Sequence, residues 1–163
     1  MEQFQRLKKY HLLTSRFTTT TQMECKKFRE RIRKQCVYCT PIQITSKIPK
    51  GAIVLVLEMN NETNQIIGIG MLRNIPQNRT YFVYETENYN RICYVGNHRI
   101  DRAEFSPEEL RTIIALLEQL CFKGKSHLKR SQGLTSFPMR KLCQCYDSCD
   151  IIEMIMDMFR ARK

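Results

Sequence analysis

Apolar residues at Cys25, Phe28, Ile32 and Cys36 follow an i, i+3, i+7, i+11 spacing, one stripe along a helix. Ahead of them Thr21-x-x-Glu24 has the form of a capping box. The pattern predicts a helix over 21–35 whose outer face carries Lys26, Lys27, Arg29, Arg31, Arg33 and Lys34, opposed only by Glu30. The period then shortens to two. Ile42–Thr45 alternates, and Ala52–Met59 is a β-branched run suited to a buried strand. After the turn at 60–64, Gln65–Leu72 is its hairpin partner, with two glycines that mark a bulge or a close neighbour. Arg79–Glu85 and Arg91–Val95 complete about five sequentially connected, largely antiparallel strands.

The helical period returns at Ser106-Pro107-Glu108-Glu109, which supplies a cap, a proline at the first helical position and a capping box. Leu110, Ile113, Ile114, Leu117 and Leu120 form its apolar face, and Gly124 provides a left-handed stop. A final helix over 148–161, following Ser148, is apolar around much of its circumference. That arc needs covering by the sheet, by a second copy in a homodimer, or by a protein partner. The elements define an α+β domain over 19–163 with three flanking helices, preceded by a basic N-terminal segment, 1–18.

Charge changes the picture more than length does. Lys and Arg number 27 against 16 Asp and Glu, a net charge of +11, and self-repulsion of that size is relieved by a polyanion or an acidic protein. No apolar run is long enough to span a membrane, and MEQFQRLKKYHLL lacks the apolar core of a secretory signal. The expectation is an intracellular protein of cytoplasm, nucleus or virion, with no membrane association. Its eight cysteines then read as reduced thiols in preference to a disulfide framework.

The strongest local signal is the segment 123–141, with six Lys and Arg and no acid. Lys123, Lys125, Lys129 and Arg130 neutralise phosphate, Ser126 and His127 donate, and Gly124 and Gly133 admit close backbone approach. The competing reading is a solvated loop. Gly124-Lys125-Ser126 is not a nucleotide-binding loop, because Gln119 stands where the upstream glycine belongs and a helix precedes it. Cys36 and Cys39, with Cys143, Cys145 and Cys149, have only irregular zinc-ligand spacing, so structural thiols are preferred and no metal or other cofactor is expected. No nucleophile–base motif or carboxylate pair stands out, and the chain is read as non-catalytic.

Pro49-Lys50-Gly51-Ala52-Ile53-Val54-Leu55-Val56 followed by Ile66-Ile67-Gly68-Ile69-Gly70 resembles the PUA-like superfamily, which includes EVE, YTH and ASCH domains. The resemblance covers about residues 20–100. It implies a curved sheet or small barrel with flanking helices that binds RNA or DNA, sometimes at a modified base. The tryptophan cage of YTH domains has no counterpart, since the chain has no tryptophan; Tyr38, Phe82, Tyr84 and Tyr94 are the available aromatic residues, and sheet packing is their preferred role. Tyr94-Val95-Gly96 and Phe122–Arg130 resemble small proteins of large nucleocytoplasmic DNA viruses.

The expected function is nucleic-acid binding through one positive surface. It would combine Lys26, Lys27, Arg31, Arg33 and Lys34 with Lys123, Lys125, Ser126, His127, Lys129 and Arg130, with Tyr84 offering a stacking surface. The alternative is a structural or scaffolding protein of a viral or multi-subunit assembly, whose basic faces meet an acidic partner.

Overall fold

The computed structural model describes residues 9–146 and 149–163. A five-stranded mixed sheet in the order β6-β4-β3-β1-β7 forms the centre, and a separate antiparallel ladder joins β2 and β5. The strands are β1 (Tyr10–Phe17), β2 (Cys36–Thr40), β3 (Ile53–Asn60), β4 (Gln65–Arg73), β5 (Ile92–Gly96), β6 (His98–Asp101) and β7 (Thr135–Ser136). Among the described residues four helices complete an α+β fold. They are α1 (Thr19–Ile32); α2, which runs through Pro107–Glu109, a π-helical segment Leu110–Ile114 and Ala115–Phe122; α3 (Met139–Tyr146); and α4 (Ile151–Arg160). The sheet is open, not closed into a barrel.

Alternation along the central strands divides the interior in two. Leu12, Leu55, Leu57, Ile69 and Ile100 pack on one face against Ile113, Ile114 and Leu117 of α2 and Ile151, Ile155 and Phe159 of α4. Leu13, Val54, Val56 and Leu72 pack on the other against Cys25 and Phe28 of α1 and Val37, Tyr38 and Tyr94 of the ladder. The apolar arc of α4 is therefore covered within the chain, by sheet and α2.

Several elements differ from their sequence patterns. Part of the segment set apart as 1–18 is β1, which lies between β3 and β7 and pairs in parallel with β3 from Tyr10↔Ile53 to Phe17↔Asn60. Among the described residues this is the one parallel pairing; β1–β7, β2–β5, β3–β4 and β4–β6 are antiparallel, in keeping with the largely antiparallel expectation. Helix α1 is capped by Thr18 and Thr21 in a reciprocal box, not by Thr21 and Glu24. Glu24 instead accepts from the Glu85 backbone N–H at 2.9 Å. The helix stops at Arg33, whose left-handed backbone (φ 57°) turns the chain so that the Lys34 N–H reaches the Arg29 carbonyl at 3.2 Å, and Cys36 starts a strand and does not extend the helical stripe.

Residues 42–45 are not a strand; Ile44 is buried from a loop. Arg79–Glu85 is likewise irregular and pairs with no strand. There the buried side chain of Asn90 takes the partner's role, its Oδ1 accepting from the N–H groups of Val83 and Tyr84 at 3.0 and 2.9 Å. Its Nδ2 donates back to the Tyr84 carbonyl at 2.7 Å.

The cap of α2 is formed as the sequence predicts, with Ser106 and Glu109 each accepting from the other's backbone. Its π-helical segment shifts the apolar face by about one residue, so Cys121 is fully buried after Leu117 while Leu120 is only half-buried. Helix α4 starts from Asp150, which caps the Glu153 N–H; Ser148 lies outside the described residues. Helix α3 had no counterpart among the predicted elements.

Candidate nucleic-acid interface

The glycines of β4 fix what can sit beside them. A register shift between Glu58 and Met59 forms the bulge expected in this hairpin. Gly68 and Gly70 face the α1 side of the sheet. A Cβ on Gly68 would overlap the Arg99 guanidinium, and one on Gly70 would overlap the Tyr38 hydroxyl. The trough they leave holds a buried polar cluster. Arg99 donates to both carboxylate oxygens of Glu58, from Nε at 2.9 Å and Nη2 at 2.7 Å, and from Nη1 to Asp101 at 2.8 Å. Tyr38 donates to Glu58 Oε2 at 2.6 Å.

Burial opposes the charge on Arg99, but the adjoining Glu58 carboxylate more than offsets it and holds the guanidinium firmly protonated. Burial and the same carboxylate push the Tyr38 phenol well above its ordinary value, so it remains a donor. The cluster is a closed ion-pair network in which Glu58 and Asp101 together outweigh the Arg99 charge. It was not legible in sequence because its members come from β2, β3 and β6; the two glycines were the visible trace.

Arg99 also marks the junction of two surface grooves. One, of about 400 Å³, is lined by Lys26, Arg29, Arg33, Lys34 and Gln35 at the C-terminal end of α1, with Glu30 and Asp101 as its acids. The second, of about 550 Å³, shares Gln35 and Arg99 with the first and continues over Tyr10, Ile53, Met71, Asn97, His98 and Phe159. A third, of about 450 Å³, shares Ile53, Met71, Asn97 and His98 with the second and ends at Arg73, Ile75 and Gln77. The three adjoining grooves, together the β6 channel, lie around the edge strand of the five-stranded sheet.

Of the sequence-predicted cations, Lys26, Arg33 and Lys34 line this channel. Lys27 is exposed on the same helix, and Arg31 lies over the Phe28 ring at 5.0 Å. The loop cations are elsewhere. The loop is tied to the β3–β4 turn and the β7 edge: Asn61 donates to the Lys129 carbonyl at 3.0 Å, Lys129 Nζ to Asn64 at 2.8 Å, and Arg16 to the Leu128 carbonyl and Thr135. Lys123, Lys125, Ser126 and Arg130 are exposed, whereas His127 and Lys129 are half-buried. A His127 ring nitrogen accepts from the Lys129 N–H at 3.2 Å. Lys141 is buried, its ammonium donating to the Leu120 carbonyl at 2.7 Å.

The structure thus makes two basic patches, one towards each end of α1, where the sequence suggested one surface. Thr18 and Thr21 at the start of the helix share a cavity of about 180 Å³ with Ser131, Gln132 and Gly133, while Lys26–Lys34 face Arg99. Helix α1, of 14 residues, spans about 20 Å between them. Tyr84 lies on the wall of the smaller cavity, edge-on to Tyr89 at 6.2 Å, and burial followed by the Cys25 thiol pushes its phenol well above the ordinary value. It is packed between neighbours and is no open stacking platform.

The cysteines do not converge. Cys39 and Cys93 lie opposite each other on β2 and β5 and form a disulfide, contrary to the reading of all eight as thiols. Cys36, three residues earlier on the same strand, faces the other way and donates towards the Met71 and His98 carbonyls. Cys145 and Cys149 pack against the α2–α4 core. Among the described residues no cluster of three or more His, Cys, Asp or Glu side chains is arranged to hold a metal ion. Nor is any helix among them long and apolar enough to cross a membrane.

No family model, curated protein or solved structure matches this chain.

Proposed function

We propose that the protein is a non-catalytic nucleic-acid-binding module, of the PUA-like class its β3–β4 sequence resembles, and that the channel around β6 is its binding face. The observation carrying this reading is the basic mouth of that channel. Lys26, Arg33 and Lys34 are exposed there and outnumber Glu30, while Arg99 beside them is matched by Glu58 and Asp101. Exposed lysine and arginine give a sequence-independent attraction to phosphate with counterion release. The net charge of +11 supplies the long-range field. Lys123, Lys125 and Arg130 are exposed on the loop that leads to the other end of α1 and supply further phosphate contacts.

Fluorescence anisotropy of the protein against labelled RNA and DNA across a salt series tests the reading. Affinity is expected to fall steeply with salt. Lys26→Ala and Lys34→Ala should each flatten the slope by about one phosphate contact. No binding at low salt would refute the proposal. A homodimer or an acidic protein ligand detected in its place would favour the scaffolding role.

A further inference from the structure

We infer that the channel is built for a single strand, with unpaired bases entering its β6 section beyond Arg99. This rests on the nucleic-acid reading above and specifies its ligand.

The channel changes chemistry along its length. Its first section is cationic, whereas past Arg99 the sheet side of the lining is apolar with an amide at Asn97, and Glu104, Arg160, Arg162 and Lys163 border the opposite side. Ile53, Met71 and Tyr10 are half-buried there, Ile75 is 54% exposed, and Asn97 and His98 are exposed. A duplex turns its phosphates outward and keeps base faces stacked inside, so it meets a protein with phosphate and groove edges. It has no use for a concave apolar floor. A single strand presents both chemistries side by side, a charged backbone and bases with free faces and free hydrogen-bonding edges. Methionine, isoleucine and tyrosine offer surface to a base face without selecting its identity. Asn97 carries both donor and acceptor for a base edge.

Cations flank the floor on both sides of the apolar section. Lys26, Arg33 and Lys34 stand at one mouth, and Arg73 is exposed at the other, its Nη1 donating to the Gly51 carbonyl at 3.0 Å. Lys9 adds a cation over the Tyr10 ring at 5.3 Å. Arg160 and Arg162 also border the channel but are engaged by Glu153, Asp157 and Glu109, so they serve the fold before any ligand. Phosphates at the two mouths with bases between them follow a path around the sheet edge. A strand with flexible backbone can take that path and a stiff duplex cannot.

The test compares a 12-nucleotide single strand with a blunt duplex of the same sequence by anisotropy, using the whole protein. The single strand is expected to bind about tenfold more tightly, one stacked base being worth roughly fivefold to a hundredfold. Ile75→Ala and His98→Ala lie on the exposed floor, remove no lysine or arginine and leave the core intact. Both should weaken single-strand binding several-fold without changing the salt slope. Duplex affinity equal to or above single-strand affinity would overturn the inference while leaving nucleic-acid binding in place. Unchanged single-strand affinity in both variants would also overturn it. Absence of binding to either ligand would sink the underlying function as well.

Discussion

The Tyr38 hydroxyl occupies space that a side chain at Gly70 would need, and from there it donates a 2.6 Å hydrogen bond to Glu58. The missing Cβ on β4 lets a ring from β2 cross the sheet and reach a carboxylate on β3. Gly70→Ala should therefore destabilise the protein by about 1–3 kcal/mol, the usual cost of overpacking a rigid interior. Tyr38→Phe added to the same chain should recover part of that loss by relieving the overlap. Urea unfolding of both single variants and the double variant measures the coupling. Additive effects would show that the two residues do not share the space.

Arg99→Met is expected to cost about 3–5 kcal/mol, because it strands a carboxylate that is 1% exposed. Glu58→Gln combined with Arg99→Met should be less damaging than Arg99→Met alone, since no bare buried charge remains. Thermal and urea denaturation of the two proteins gives the comparison. Equal stability of these variants would mean that the pair is not the source of the cost.

Stability should fall at both ends of the pH range. Burial works against the Asp101 carboxylate, but hydrogen bonds from Arg99 and the Ala103 N–H hold its pKa below the ordinary 3.8. A hydrogen bond from Arg162 holds Glu109 below the ordinary 4.5. Depressed carboxyl values contribute stability above the unfolded pKa, and that contribution is lost as pH falls through the folded one. Unfolding followed below about pH 4.5 should accordingly show a shallower acid limb in Glu109→Gln. At the alkaline end, burial pushes the Cys36 and Cys121 thiols from 9.0 up to about 12. The unfolded thiols ionise first, so stability should decline between pH 9 and 12, and less so in Cys121→Ala.

The Cys39–Cys93 disulfide closes a loop with a sequence separation of 54. Its reduction is expected to cost about 2–4 kcal/mol, read as a lower urea midpoint with reductant than without. Native alkylation with iodoacetamide should modify exposed Cys143 well before the buried Cys25, Cys36 and Cys121. Mass spectrometry of the unreduced, alkylated protein checks both points. Quantitative alkylation of Cys39 and Cys93 without reductant would show that the pair is not bonded.

Local rules carried the sequence reading where a single segment held all the information. The Ser106 box, the β3–β4 hairpin and the positive face of α1 each depend on residues within a few positions of one another. Their chemistry could be read directly from spacing. The reading failed where a partner far along the chain decided the outcome. Tyr10–Phe17 has no clear period of its own and becomes a strand because β3 and β7 flank it. Arg79–Glu85 has strand composition, yet Asn90 satisfies its backbone and removes the need for a neighbouring strand.

The same division runs through the candidate site. The sequence by itself determined that the protein is strongly basic, that α1 concentrates cations on one helix, and that two glycines punctuate β4. Tertiary structure alone decided that those glycines shelter Arg99 and Tyr38, and that α1's basic end opens onto the β6 edge while loop 123–130 lies at the other end of the helix. Charge and local periodicity are properties of neighbours in the chain. A groove, a buried ion pair and the division of cations into patches are properties of neighbours in space, set by the long-range strand order β6-β4-β3-β1-β7.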